Sequence, residues 1–202
     1  MGTRHMIAVV NKGKYRVAQY GQWDGYPAGQ GISILNFLRD GASVNALKTN
    51  CLKCRFVSET EYNDMWKEFG VDINGDGFVD MKTGEKFNQK YPQFNRDVGA
   101  DILNMVASAD NGMKLYDDYE FAADSLFCEW AYVIDFDKNT FEVYEGLNKT
   151  PLIGSDRFCG LVCKSNKRRD TKYYPVKLKA FYNLYALPTR EEFLQECEGT
   201  DE

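Results

Sequence analysis

The first apolar stretch of the chain, residues 6–10, is followed by a polar segment at 11–14 and by aromatic and β-branched residues at 15–20. Two such segments around a glycine-containing turn are typical of a β-hairpin. The position of a two-residue turn fixes which residues of the two strands face each other. With Lys12-Gly13 as the turn, the predicted pairs are Val10–Tyr15, His5–Tyr20 and Arg4–Gly21.

Four later segments predict helices. The apolar positions of 32–40 suit a short helix that Gly41 would end as a C-terminal cap. Residues 58–61, Ser-Glu-Thr-Glu, form a capping box ahead of an apolar stripe. Residues 97–108 place apolar side chains on one helical face, and a second capping box at 189–192 opens a C-terminal helix.

Strand patterns return in the second half of the chain. Segments 127–136 and 140–145 predict a second hairpin, and 173–187 predicts one or two strands. Hairpins at both ends with helices between them indicate an α+β fold, in which helices pack on a mixed or antiparallel sheet built from the N- and C-terminal hairpins. The length suits a single domain, 1–202, ending in a short acidic C-terminal tail.

Composition narrows the class of protein. Hydrophobic residues make up 44% of the chain and aromatic residues 14%, which is enough for a substantial core. The net charge of −5 makes nucleic acid an unfavourable partner, because the phosphate backbone would be repelled. No apolar run reaches the roughly 20 residues of a membrane helix and no export signal is present, so we expect no membrane partner and a cytoplasmic location.

The most distinctive segment is the glycine-rich loop, residues 23–31, between a predicted strand and a predicted helix. Backbone amides at the start of a helix attract anions, so the loop is a candidate ligand site. The alternative is a structural loop whose glycines supply positive φ. The hairpin register brings Arg4 near Asp24, either as a structural pair or as half of a polar site. The candidate ligand-binding residues are Arg4, Trp23, Asp24, Tyr26, Gly29, Gln30 and Gly31.

Gly2-Thr3-Arg4, a following hairpin and the run Trp23-Asp24-Gly25-Tyr26-Pro27 together resemble an uncharacterised family of small bacteriophage and prophage proteins with relatives in fungi. Segments 91–103 and 129–135 are similar to parts of the same family. His5-Met6 looks like the remnant of a cloning site, but the resemblance favours residues 2–4 as native. The resemblance implies no established activity. By analogy it implies a location in the host cytoplasm and a host-directed role, such as inhibition of a defence system.

Two metal sites are conceivable from spacing. Asp72, Asn74, Asp76 and Asp80 occupy calcium-loop positions 1, 3, 5 and 9, but position 12 is Thr83 instead of a bidentate Glu. No clear helix start follows at Thr83-Gly84, so we expect weak calcium binding or a plain turn. Zinc is less expected, because the pairs Cys51–Cys54 and Cys159–Cys163 are more than 100 residues apart. No other cofactor is indicated.

Catalytic signatures are scarce, and whether the protein is an enzyme stays open. His5 is the single histidine and lies in a predicted strand without a nucleophile motif nearby, so it carries no candidate catalytic role. Thr3 ahead of a strand, turn and strand is similar to the opening of N-terminal-nucleophile hydrolases, but Gly2 would have to be removed. We therefore expect a non-enzymatic interaction protein with an unidentified protein partner. The alternative is a small-ligand- or nucleotide-binding protein, or an enzyme, with its site at the glycine-rich loop.

Overall fold

The computed structural model describes residues 2–75, 78–162 and 173–199, which contain seven strands in two sheets. The strands are β1 (His5–Asn11), β2 (Lys14–Gly21), β3 (Arg55–Phe56), β4 (Lys114–Leu115), β5 (Trp130–Asp135), β6 (Thr140–Glu145) and β7 (Lys177–Asn183). The larger sheet has the order β2-β1-β5-β6-β7, and β3 pairs with β4 in the smaller one. Because β1 and β5 are parallel while all other neighbours in the larger sheet are antiparallel, the sheet is mixed.

The N-terminal hairpin has the predicted turn but a shifted register. Val10 pairs with Tyr15 as predicted, whereas Val9 pairs with Val17, so β2 contains one extra residue. Such a β-bulge moves every later pair by one position. His5 consequently pairs with Gly21, and the predicted pairs of His5 with Tyr20 and of Arg4 with Gly21 are wrong.

Six helices lie within the described residues, and they confirm the α+β class. They are α1 (Ile32–Arg39), α2 (Gly41–Asn50), α3 (Glu59–Lys67), α4 (Met81–Lys90), α5 (Asp101–Ala107) and α6 (Arg190–Glu198). At Ser58 and Thr189 the hydroxyl accepts a hydrogen bond from the amide three residues later, as predicted. Only Thr189 also has the reciprocal bond of a capping box, because the carboxylate of Glu61 bonds to Arg55 and Lys114 instead. Gly41 does not end α1 as predicted. It begins α2, for which the Asp40 carboxylate is the N-terminal cap.

Both faces of the larger sheet are covered. Side chains of one face, among them Val9 and Ile134, pack against α1, α2, α5 and α6 in the main core cluster. Side chains of the other face, such as Ala8 and Val133, pack under the segments around Phe158. A third cluster consists largely of aromatic residues of α3, α4 and the segments that follow them. This third cluster adjoins the outer edge of β2, and the junction positions the candidate site.

Among the described residues, no helix combines the length and the apolar character needed to cross a membrane.

Candidate functional site

The glycine-rich loop is fixed to the start of β1. The Gly25 amide donates to the Thr3 carbonyl oxygen at 2.9 Å, and the Tyr132 hydroxyl donates to the Gly25 carbonyl oxygen at 2.8 Å. A Cβ atom on Gly25 would lie 2.7 Å from the Cβ of His5, so a larger residue would collide with the strand. Glycine is required here for close packing.

The amides of the loop are already bonded within the protein. The amides of residues 29–31 donate to the carbonyl oxygens of Asp24 and Tyr26. The Ala28 amide donates to Oε1 of Glu198, a carboxylate of α6, at 2.9 Å. An anionic ligand would have to displace these partners, so the structure favours the structural alternative for the amides of Gly29, Gln30 and Gly31.

Arg4 and Asp24 do not form the predicted pair. Among the hydrogen bonds and ion pairs of the described residues, none joins these two side chains. The Arg4 guanidinium lies over the ring of Phe127, with Cζ 4.4 Å from the ring centroid, and its Nε is buried without a hydrogen-bond partner. The bulge in β2 places Gly21 opposite His5, which leaves Arg4 beyond the paired strands and next to the 127–129 segment.

Two predicted residues, Trp23 and Gln30, position a neighbouring segment, residues 96–100. Trp23 Nε1 donates to Oδ1 of Asp97 at 2.8 Å, and Oε1 of Gln30 accepts from the Ala100 amide at 2.7 Å. These bonds fix the segment from both ends of the glycine-rich loop. Side chains of the loop thus position the 96–100 segment, while its backbone groups bond within the loop and to Thr3, Tyr132 and Glu198.

The segment fixed in this way borders a recess of about 300 Å³ at the outer edge of β2. We call this recess the aromatic pocket; it is lined by Gln19, Tyr20, Tyr62, Phe94, Arg96, Tyr116 and Asp118. The residues around 117 form a short parallel bridge with Ala18, and the Asp118 amide donates to the Ala18 carbonyl oxygen at 3.0 Å. The pocket is thus assembled from β2, α3, the segment after α4 and the segment after β4.

The rings of Tyr62, Phe94 and Tyr116 form the aromatic wall of the pocket. The centroid of the Tyr62 ring lies 5.4 Å from that of Phe94 and 4.8 Å from that of Tyr116, and the ring planes are inclined by 59° and 56°. Tilted contacts at these distances are those that packed aromatic rings prefer.

Asp118 is the acidic group of the aromatic pocket. Its Oδ2 accepts from the Tyr20 amide at 3.0 Å, which also satisfies a backbone donor at the edge of β2. Burial raises the pKa of Asp118 to about 6; the bond from Tyr20 opposes this rise, and the neighbouring Asp117 charge adds to it. At neutral pH the carboxylate is therefore charged although its surroundings disfavour the charge. A carboxyl group perturbed in this way inside a recess is typical of functional sites.

Gln19 contributes an unsatisfied polar atom. Its side chain is buried in the wall of the pocket, and Oε1 has no hydrogen-bond partner within the described residues. A buried carbonyl oxygen without a donor costs about 1–3 kcal/mol. Native proteins rarely keep such an atom without a use, and a ligand donor in the pocket would supply the missing bond.

The calcium-type loop is only partly described, because Asp76 lies outside the described residues. A helix does follow the loop, contrary to the prediction: α4 begins directly after Asp80, whose carboxylate accepts from the amide and hydroxyl of Thr83 as a helix cap. Asp72 accepts from the amide of Asn74. Within the described residues, no group of three or more His, Cys, Asp or Glu side chains could hold a metal ion.

Three of the four thiols considered for zinc belong to the described residues. Cys51 and Cys54 belong to the main core, where burial raises the pKa of both thiols. The Cys159 thiol lies 3.6 Å from the Leu152 carbonyl oxygen, and Cys163 lies outside the described residues. Cys51 and Cys54 thus have an ordinary explanation as core residues.

A second polar cluster, under β5 and β6, has a structural explanation. Arg157 donates to Asp135 at 2.6 Å and to both oxygens of Glu142 at 2.6 and 2.7 Å. Glu142 also accepts from the hydroxyls of Tyr144 and Thr140. Buried charges satisfied this completely hold the fold together, and they leave the aromatic pocket as the stronger candidate site.

Comparison of the chain with protein-family models, curated proteins and solved structures finds no match. The assignment of a site therefore depends on the geometry alone.

None of the seven residues that line the aromatic pocket was among the predicted site residues, because the sequence reasoning concentrated on glycines, cysteines and carboxylates at regular spacing. The available signal was the run Tyr116-Asp117-Asp118-Tyr119, which alternates aromatic rings with acids in a short segment between predicted elements. Aromatic residues next to carboxylates in a connection are more typical of a binding surface than of a core.

Proposed function

We propose that the protein is a small-ligand-binding protein and that the aromatic pocket is its site. The observation that carries the proposal is one recess that combines inclined aromatic walls, the perturbed carboxyl of Asp118 and the unpaired carbonyl oxygen of Gln19. Its volume of about 300 Å³ lies at the lower end of the range for small-molecule sites. Its place between the main sheet and the third core cluster also suits a ligand site, because pockets form preferentially where structural units meet.

Binding without catalysis accounts best for the lining residues. The pocket contains one carboxyl group and one guanidinium, and no Ser, Cys, His or Lys belongs to its lining. The commonest nucleophiles of covalent catalysis, Ser, Cys and Lys, are therefore not among the lining residues. The same set is well suited to hold a ligand by ring contacts, one charge and one hydrogen bond.

The proposal is tested by mapping ligands on the folded protein. A panel of small metabolites, containing organic cations, organic anions, nucleosides and sugars, is screened by thermal shift, and hits are mapped by amide chemical shifts in NMR spectra. We expect a hit to perturb the amides of residues 19–20, 94–97 and 116–118. Hits that all map elsewhere, or a panel without any hit, would contradict the proposal.

A second function, binding of a partner protein, is favoured by the outer edge of β7. In the described part of the chain this strand ends the sheet, and Lys177, Leu178 and Phe181 are exposed on it. An extended acidic segment of a partner protein would pair with such an edge and contact these side chains. In a phage-encoded protein the partner would be a host protein. Fluorescence anisotropy with extended acidic peptides tests this function, and unchanged affinity in Phe181→Lys would argue against it.

A further inference from the structure

The aromatic wall favours ligands that are attracted to ring faces. Tyr20, Tyr62, Phe94 and Tyr116 all line the recess, and the rings of Phe94 and Tyr116 are each inclined by more than 50° to that of Tyr62. A rounded group contacts several ring faces at once, and the negative face of each ring attracts a positive charge.

The charges around the pocket favour a cation. Four carboxylates and two guanidinium groups are close enough to influence the pKa of Tyr20 or Tyr116: Asp97, Asp117, Asp118, Glu59, Arg4 and Arg96. Of the two guanidinium groups, that of Arg4 is over the ring of Phe127, and the exposed one of Arg96 has Nε 3.8 Å from a carboxylate oxygen of Asp97. Of the two charged residues that line the recess, Asp118 is the more buried, and its charge would repel the phosphates of a nucleotide.

Because four aromatic side chains and the carboxylate of Asp118 line the same recess, we infer that the ligand of the aromatic pocket carries a methylated ammonium group, which contacts the rings while Asp118 balances its charge. This inference rests on the proposed function. Quaternary ammonium groups are weakly hydrated, cannot donate hydrogen bonds and are recognised by aromatic rings through cation–π attraction. The unpaired oxygen of Gln19 then serves a donor, such as a hydroxyl, elsewhere on the same ligand.

Binding of a cation should be linked to protons through Asp118. The groups that face this carboxyl are the Tyr20 amide, the charged groups of Asp117 and Arg96, and the rings of Tyr62 and Tyr116. Burial raises the pKa of all three tyrosines, so they stay neutral at physiological pH. A nearby cation favours the carboxylate and lowers the pKa of Asp118, so the ligand binds more tightly above pH 6 than below it and releases protons when it binds near pH 6.

The experiment is calorimetric titration of the full chain with four probes. Choline and a peptide bearing trimethyl-lysine carry the cation on a small molecule and on a protein segment, and the unmodified-lysine peptide is the control for methylation. The fourth probe, 3,3-dimethylbutanol, has the shape of choline without its charge. We expect choline or the trimethyl-lysine peptide to bind at least roughly tenfold more tightly than its uncharged or unmethylated counterpart. Which of the two binds more tightly identifies the source of the cation.

Variants separate the role of the rings from that of the charge. Tyr116→Leu should weaken binding by roughly three- to thirty-fold. Asp118→Asn should weaken binding and abolish the proton release at pH 6. The control variant is Tyr185→Leu, which changes an exposed tyrosine outside the pocket and should bind like the wild type. Equal binding of 3,3-dimethylbutanol, or tighter binding of a neutral nucleoside at residues 116–118, would overturn the inference while leaving the pocket as the ligand site. If no probe and no member of the metabolite panel perturbs the pocket, the proposed function fails as well.

Discussion

Replacing Asp118 by Asn should stabilise the fold at neutral pH while it weakens ligand binding. The carboxylate is kept in surroundings that disfavour its charge, and its one backbone partner, the Tyr20 amide, needs only an oxygen acceptor. The Asn side chain has the same shape and keeps such an oxygen. The substitution therefore removes the unfavourable charge without removing the hydrogen bond at the edge of β2.

The size and pH dependence of the effect follow from the pKa of Asp118. The folded value of about 6 lies above the ordinary value of 3.8, so between these pH values the folded state binds more protons than the unfolded state. Wild-type stability therefore falls as the pH rises from about 4 to 6, and the whole difference corresponds to about 3 kcal/mol at most. Because the carboxyl borders an open pocket, solvent screening should reduce the observable gain of Asp118→Asn above pH 6 to about 1–2 kcal/mol.

Urea unfolding of wild type and variant between pH 4 and pH 8 measures this gain. The difference between the two proteins cancels the titration of all groups that they share, including the buried His5, whose pKa burial lowers to about 4. We expect the difference to be small at pH 4 and to reach its full size above pH 6. Asp117→Asn, at the exposed neighbouring position, is the control and should change stability by less than about 0.5 kcal/mol. A variant that is less stable than wild type at pH 8, or a gain that does not depend on pH, would refute the reasoning.

Three further predictions concern the fold and the calcium-type loop. Gly21→Ala should lower the free energy of unfolding by about 1–3 kcal/mol, because the added Cβ would lie 2.2 Å from the buried imidazole of His5. Gly41→Ala has open space around it and should not destabilise the fold. Equal effects of the two substitutions in chemical unfolding would contradict this packing. Arg157→Met should lower the free energy of unfolding by about 3–5 kcal/mol, because it leaves two buried carboxylates unpaired. Arg55→Met, in an exposed pair, should lower it by less than about 1 kcal/mol. A larger loss for Arg55→Met would show that the buried cluster is not structural. Thr83→Glu should strengthen calcium binding in calorimetry by adding the missing bidentate ligand, and absence of heat from both proteins at millimolar calcium would exclude the site.

Local rules predicted the elements whose signals are local. The hairpin turn at 12–13 and the caps at Ser58 and Thr189 depend on residues within a few positions of each other, and all three are present. α2 was missed because Gly41 signals the end of the preceding helix as readily as the start of a new one. α4 was missed because it contains a glycine and buries only Phe87. In both cases tertiary packing decided where the local signal was ambiguous.

The aromatic pocket could not be predicted in the same way, because its residues come from four distant segments. Whether Tyr62 approaches Tyr116 depends on the pairing of β3 with β4, two strands of only two residues each. The contact of Asp118 with the Tyr20 amide at the edge of β2 depends on the register shift between Val9 and Val10 and on the isolated bridge between Ala18 and Asp117. None of these features has a recognisable sequence pattern. A site that is assembled by long-range pairing becomes visible only when the pairing is known.

The conspicuous glycine-rich loop is better explained as a support for this site than as the site itself. Gly25 of the loop and Gly21 at the end of β2 both leave room for the side chain of His5. The loop therefore packs closely against the start of β1. Trp23 connects the loop to the pocket, because its indole donates a hydrogen bond to Asp97, the neighbour of the pocket residue Arg96. Glycine-rich segments are read as ligand sites because their amides are accessible, but here the amides of residues 28–31 have partners and the side chains do the positioning. The distinctive sequence of the loop therefore reflects tight steric demands, and the proposed binding site lies one contact away from it.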